Sequence, residues 1–407
     1  MKILITSTVD LHKSQHNRPH QFVRYLSKNH DVTVLTVNDW WKGKQADLES
    51  YSSHFNEFFK GVNFHYLTDR KISPVIQEVL FTKKIKELSK EDFDVHLSMA
   101  GLATGYRASK HFKTVFDLGD DVPEMIEIST QIPGFLKPVG KFLGNYYIDK
   151  TIKAAKKVTL TTESLTDVFK IHPDKVELIS NGVDTNAFRY EPNAKKELGL
   201  DGFIVGYVGV LREWIDLKPV FESLKHLNED VRLLIVGSEG LFEENKLLAK
   251  QMGVSDRVIF TGMVPYSLVP KYISAMDVGI IPFKLNSVSH NALPLKLFEY
   301  FACEKPVISS KIGPVKSNFS DCVLFASDFK DYINNINLLY ENEQLKTELG
   351  KKCRSISEKY SWEEITKKLE EILIGVAYED SNNITNRSIK IKPAEISSSV
   401  ESSIKET

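Results

Sequence analysis

Lys296 and Glu299 stand three residues apart in "NALPLKLFEY" (291–300), an otherwise largely apolar stretch that directly follows a strand-like run, "DVGIIPF". On a helix that spacing puts both charges on one face. Leu295, Leu297, Phe298 and Phe301 make the remaining surface apolar enough to bury. Charges so placed have two readings. They can form a helical ion pair, or they can be held in an apolar cleft for a ligand. Pro294 fits a first helical turn, where its missing N–H costs nothing. A helix starting there would aim unpaired N–H groups and the positive end of its dipole past the strand ends, a setting suited to phosphate.

The surrounding pattern supplies the elements that would position such a helix. In the first half, "KILIT", "DVTVLTV", "DVHLSM", "TVFDLG" and "KVTLTT" are short β-branched runs separated by amphipathic stretches, one of them a helix expected around Pro19 to Lys28. Alternating strands and helices predict a parallel sheet. The segment 179–202, with three glycines, a proline and three asparagines, reads as a crossing between domains, with a turn expected at Asn181 and Gly182. Beyond it "FIVGYVG", "VRLLIVG", "RVIFTG", "DVGIIPF" and "KPVISS" are apolar on both faces, which predicts a second parallel sheet covered on both sides. Open parallel sheets bind ligands outside the carboxyl ends of their strands, so the loops after these runs are the places to look. Ser361 and Glu364 have the spacing of a capping box before a helix whose Trp362, Ile365, Leu369 and Ile372 share a face. The expected division is 1–183, 184–360, a packing helix at 361–376, and a flexible tail from 377 to 407, where apolar periodicity ends.

Composition narrows the function. A formal net charge of −1 over 407 residues gives no basic field for nucleic acid. Cys303, Cys322 and Cys353 lack metal or redox spacing and read as core residues of a reducing compartment. The start, "MKILITSTVD", is too short and too polar for an export signal, and no apolar run is long enough to span a bilayer, so a cytoplasmic location is expected. One segment, 135–158, carries six lysines against the single acid Asp149 and interleaves aromatics. It is either a lysine-coated helix packed on the sheet or a surface for peripheral contact with an anionic membrane.

Taken together, "ALPLKLFEYFACEKPVISS" resembles the signature of glycosyltransferase family 4, retaining enzymes of the GT-B fold. The resemblance covers roughly residues 1 to 376 and is specific only in the C-terminal half. It implies an α/β architecture of two Rossmann-like domains facing across a cleft, the first for the acceptor and the second for a nucleotide-sugar. Glu299 matches the glutamate that, in the family, accepts hydrogen bonds from the nucleotide ribose. Asn291 stands where the first glutamate of the family's pair, the one that contacts the donor sugar, would be, so the sugar's identity is open. Lys296, Pro294 and Leu295 belong to the same donor-side helix. "GYVGVLREWIDL" resembles the family's glycine loop, with Gly209 at the turn. Val210 occupies the usual arginine position, and Arg212 and Lys218 are the nearest cations for the donor diphosphate. Arg212 also reads as an ordinary arginine at a loop tip. Glu239, Met263 and Val264 fall in loops that flank the donor in relatives. The first domain departs from the pattern: no glycine follows its first strand, so Asn17 and Arg18 would fill that space on the acceptor side. Arg18 would meet an acceptor phosphate or cap its own helix. Asp120 and Asp121 fall near a catalytic pair of the family and would orient or deprotonate an acceptor hydroxyl, or cap the helix at "VPEM".

The activity implied is transfer of a sugar from a UDP- or GDP-linked donor, with retention at the anomeric carbon, to a glycan, lipid-linked or other hydroxyl acceptor. No cofactor or metal is expected, because cations and helix dipole carry the charge work. A nucleotide-sugar epimerase of the same fold and a non-enzymatic two-lobed binder are the alternatives. A dinucleotide-dependent dehydrogenase is disfavoured because neither "GYVGVL" nor "IVGSEG" supplies the required glycine pattern.

Overall fold

A computed structural model describes residues 1–14, 16–37, 57–68, 74–99, 103–130 and 132–389, with backbone alone at 74–75 and 380–389. Its described residues contain two parallel sheets. The first orders its seven strands β3-β2-β1-β4-β5-β6-β7: β1 (Lys2–Ser7), β2 (Asp31–Thr36), β3 (Asn63–Tyr66), β4 (Val95–Met99), β5 (Thr114–Leu118), β6 (Lys157–Leu160) and β7 (Val176–Leu178). The second orders six as β10-β9-β8-β11-β12-β13: β8 (Phe203–Val208), β9 (Val231–Val236), β10 (Val258–Gly262), β11 (Val278–Ile281), β12 (Val307–Ser309) and β13 (Val323–Phe325). Strand order therefore reverses between β1 and β4 and again between β8 and β11. At such a switch point the following loops part and leave a crevice.

The β8/β11 junction shows how the sequence builds that crevice. The two strands pair only at Val278↔Val205 and Gly279↔Gly206 before they diverge. Tyr300, fully buried, fills the gap, and the backbone N–H of Val208 donates to its hydroxyl at 2.9 Å in place of a strand partner. Gly279 makes this possible, since a Cβ there would lie 2.6 Å from the Tyr300 ring. One tyrosine thus anchors the helix Leu295–Ala302 against the switch point.

Several expectations need correction. Asn181 and Gly182 make no turn, and Asn181 Nδ2 donates to Leu293 O at 2.7 Å. Gly182 is needed for close approach, because a Cβ would meet Tyr360 O at 2.4 Å. The first long helix is Arg18–Leu26, and Pro294 is the N-cap residue of Leu295–Ala302 and not part of its first turn. The last helix does not stop near 376: its backbone is helical from Trp362 to Ile389, Lys113 Nζ donates to Ala377 O at 2.8 Å, and Lys156 pairs with Glu379. The rest of the expected tail, 390–407, lies outside the described residues. Ser361 Oγ accepts from Glu364 N at 3.3 Å, and Trp362, Ile365 and Leu369 are buried.

Candidate active site

Three glycine-bearing loops at the carboxyl end of the second sheet are laced edge to edge. Gly209 N donates to Val236 O, Leu211 N to Glu239 O, Leu241 N to Leu211 O, and Gly237 N to Gly262 O. Gly209 and Gly237 have φ of 120° and 132°, backbone states that favour glycine. A Cβ on Gly237 would meet Gly209 O at 2.6 Å. On the other flank, Asp216 N donates to Pro282 O and Lys284 N to Trp214 O, tying the loop after β8 to the loop after β11. A rigid backbone floor results.

Lys296 rises into this floor. Its Nζ donates to Tyr207 Oη at 3.2 Å and lies 4.6 Å from the centre of that ring. Tyr207 Oη in turn donates to Val210 O at 2.8 Å, so a single buried tyrosine fixes both the lysine and the glycine turn. A Cβ on Gly209 would sit 3.3 Å from Nζ. Burial pulls the Lys296 pKa down to about 8, with Glu299 acting in the opposite direction. Glu299, also buried, is pushed up to about 7 by loss of water, against the pull of Lys296 and a hydrogen bond from Tyr266.

The two charges do not form a contact ion pair. Lys296 turns toward Gly209 and Tyr207, whereas Glu299, one turn deeper, takes the Tyr266 hydroxyl. Tyr266 stacks on His16 of the first domain, ring centroids 4.3 Å apart and planes within 20°. One helix therefore presents a cation at its mouth and a carboxylate behind it, with unpaired N–H groups at its start. That arrangement suits a ligand with an anionic part and a hydroxyl-bearing part.

The remaining expected residues fall into groups. Arg212 is exposed at the laced turn, and its guanidinium makes no hydrogen bond or ion pair with any described residue. Lys218, also exposed, is the first residue of the helix Lys218–Leu224. Glu239 is exposed beside Gly240, and Met263 and Val264 are half-buried just after Gly262. Asn291 turns its amide back onto Ser287 O at 3.2 Å, while its own carbonyl accepts from Thr162 Oγ1 at 3.1 Å. It is a domain-bridging position with one amide oxygen uncommitted to a described residue.

On the first domain the structure corrects the acceptor-side expectation for Arg18. Its guanidinium makes a bidentate pair with buried Asp117, at 2.9 and 2.8 Å, and donates to Ser180 O at 2.6 Å. Asp117 also accepts from Thr159 Oγ1. Arg18 is committed to these partners and does not cap its helix; it braces β5 against the domain crossing. Asn17 is the N-cap residue of Arg18–Leu26, bonded to His20 Nδ1 at 2.8 Å. Asp121 caps Val122–Ile128 by accepting from Glu124 N at 3.2 Å. Asp120 is different: its carboxylate has no described hydrogen-bond partner and opens to solvent. Surrounding protein raises its pKa, Arg18 pulls it back, and Asp117 and Asp121 add to the rise.

Tyr207, Tyr266 and His16 escaped the sequence reading. Tyr207 carried one usable signal, a lone hydroxyl in an apolar strand next to the glycine turn. His16 lies 250 residues from its stacking partner and carried none.

Solved structures confirm the architecture. Sucrose-phosphate synthase from Thermosynechococcus elongatus superposes with a TM-score of 0.73 at 17% identity, covering 94% of this chain and 99% of that one. Anabaena HepE in complex with UDP-glucose superposes with a TM-score of 0.70 at 16% identity, covering 92% and 100%. The fold is GT-B. Among curated sequences, the D-inositol 3-phosphate glycosyltransferase of Acidothermus cellulolyticus is 30% identical over 192 residues, 42% of each chain. The first curated relatives are matched over only 35 to 58% of their own length. Residues 190–359, the stretch that holds Tyr207, Gly209, Lys296 and Glu299, match the family of glycosyl transferases group 1.

Proposed function

We propose that the protein is a retaining glycosyltransferase of the family 4 type, moving a sugar from a UDP- or GDP-linked donor to a hydroxyl acceptor. The observation that carries this reading is the unpaired Lys296/Glu299 arrangement on a helix seated at the β8/β11 switch point. The donor diphosphate lies against the Gly209 turn, where Lys296 Nζ and the helix N-terminus meet its charge. Glu299 accepts the two ribose hydroxyls. Arg212, whose fork is free, takes a diphosphate oxygen, and Lys218 is the second cation within the same loop. The HepE crystal structure is a complex with UDP-glucose, which supports a uridine nucleotide first.

Chemistry in such a site is positioning and electrostatic stabilisation. As the anomeric C–O bond to the diphosphate breaks, the leaving group gains negative charge, and Lys296 and Arg212 stabilise it. The acceptor hydroxyl attacks from the same face and gives its proton to the departing phosphate. Asp120, open to the cleft, orients that hydroxyl. Asn291 contacts the donor sugar through its free amide oxygen.

A panel of UDP- and GDP-sugars tests the reading. The matching donor raises the melting temperature by mass action, and release of nucleotide then requires an added acceptor. Conversion of the donor into a second nucleotide-sugar with no net release of nucleotide points to an epimerase, and no shift with any nucleotide-sugar overturns the donor site.

A further inference from the structure

The helix Lys137–Ala154, with the short turn Gly134–Leu136 before it, packs on the first domain through Gly144, Ile148, Thr151 and Ile152. Its opposite face is bare. Phe135, Val139, Phe142 and Tyr146, spaced four, three and four residues apart, form one row with Leu136 and Leu143 beside it, and all six are exposed. Phe135 and Phe142 keep 80% and 68% of their surface in water. Single exposed apolar residues need no explanation, but six large ones on one face do.

The same row continues past Tyr146 with Lys150 and Lys153, so an apolar segment passes into a cationic one along a single ridge about 27 Å long. Lys150 lies over the Tyr146 ring, its ammonium 5.5 Å from the centre. Lys153 pairs with Asp149, an exposed contact of the kind that is worth little in water. Lys137 and Lys150 have no ion-pair partner among the described residues. No described helix is long and apolar enough to cross a membrane. A ridge with these properties can lie in the interface plane instead, with aromatic rings at acyl depth and lysine stems reaching back to headgroup phosphates.

We propose that the 135–153 ridge docks the protein on the surface of an anionic lipid bilayer. Charge complementarity selects lipid as the occupant: the apolar row ends in Lys150 and Lys153, and Lys137 and Lys150 have no ion-pair partner among the described residues, whereas Lys141, Lys156 and Lys157 pair with Glu124, Glu379 and Glu177. The location adds a consequence. Glu124, which pairs with Lys141 of this helix, also accepts from Ser287 Oγ of the second domain at 2.7 Å, and Thr130 N donates to Glu213 across the cleft at 3.0 Å. The ridge starts five residues beyond Thr130, at the cleft margin, so docking brings the opening to the bilayer face and selects acceptors anchored there. That consequence rests on the transferase reading; the docking itself does not.

Co-sedimentation of the full chain with vesicles separates the two, since it needs no turnover. At low salt the protein should pellet with phosphatidylglycerol/phosphatidylcholine vesicles and not with pure phosphatidylcholine. The double variant Phe135→Ser, Phe142→Ser should lower the bound-to-free ratio at least tenfold with an unchanged melting temperature, because both side chains are already exposed. Lys150→Glu with Lys153→Glu should lower binding to anionic vesicles while leaving the apolar row intact. Absence of binding to anionic vesicles, or binding unaffected by the Phe pair, overturns the proposal. So does light scattering that shows a dimer dissolved by the Phe substitutions without vesicle binding, since the ridge would then serve a second copy of this chain.

Discussion

The carboxyl ends of the two sheets have the same topology and opposite chemistry. Past β8 and β11 the backbone is built from glycines and tied to itself, leaving Lys296, Glu299 and Arg212 without ion-pair partners among the described residues. Past β1 and β5 the side chains satisfy one another: Arg18 with Asp117, Asp117 with Thr159, His20 with Leu11 O and Asn17, and His12 with Tyr66. Burial pushes His20 down to about 3, so it is a neutral strut. One switch point leaves its charges uncommitted to one another, and the other uses them to hold itself together. Asp120 is the exception on this end, exposed and without a described hydrogen-bond partner for its carboxylate.

That contrast is broken most severely at Arg18. Arg18→Met leaves Asp117 buried without its cation, and removing one member of such a pair costs about 3–5 kcal/mol. Denaturant unfolding should register that loss, while affinity for the nucleotide-sugar stays within twofold of the parent. A large drop in donor affinity with intact stability would reverse the roles of the two ends. Arg212→Ala is the mirror case. It should leave unfolding unchanged and lower kcat/KM by about 2–4 kcal/mol, the scale for one preorganised donor to developing charge; an unchanged kcat/KM removes Arg212 from the site.

Glu299→Gln keeps shape but swaps one acceptor oxygen for a donor. Donor binding measured by calorimetry should weaken by about 1–3 kcal/mol. A double-mutant cycle with Lys296→Met sharpens this: near-additive losses in donor binding match two groups that hold different parts of one ligand, whereas strong coupling in unfolding alone would mean a structural pair. The smallest effect is with pH. Glu299 protonates below about 7 and Lys296 loses its proton above about 8. Donor affinity should therefore peak between these values, falling on the acid side as the carboxylate is neutralised and on the alkaline side as the ammonium is. A flat profile from pH 6 to 9 would mean that neither group touches the ligand.

The same contrast explains what the sequence could show. Inner strands are buried on both faces, so β1, β2, β4, β5, β6, β8, β9, β11 and β12 stand out as short apolar or β-branched runs, and the edge strand β10, though mostly half-buried, stands out through its consecutive Val258, Ile259 and Phe260. The strands that escaped, β3, β7 and β13, are sheet edges of three or four residues, and β3 is only half-buried. The donor helix was legible because its charges and its apolar face are local, within 291–301. The Arg18–Asp117 brace joins residues 99 apart, and Tyr266 reaches Glu299 over 33, distances across which periodicity carries no information. Glycines guided the reading of one domain; their absence after β1 offered no guide to what fills the space.

The chain passes between its domains twice, and the two passages touch. Val183 and Ser361 form a parallel bridge, Trp362 N donates to Val183 O, and Val183 N donates to Tyr360 O. After the second passage the last helix is fastened to the first domain, through Trp362 against Phe22 and Glu370 against His30. Two adjacent leaves constrain a joint differently from one: a single strand permits twisting, whereas a bonded pair resists torsion and leaves bending about its own line. Gly182, jammed against Tyr360 O, sets the thickness of that joint. The paired passages and the His16–Tyr266 stack are thus two separate ties between the same two domains.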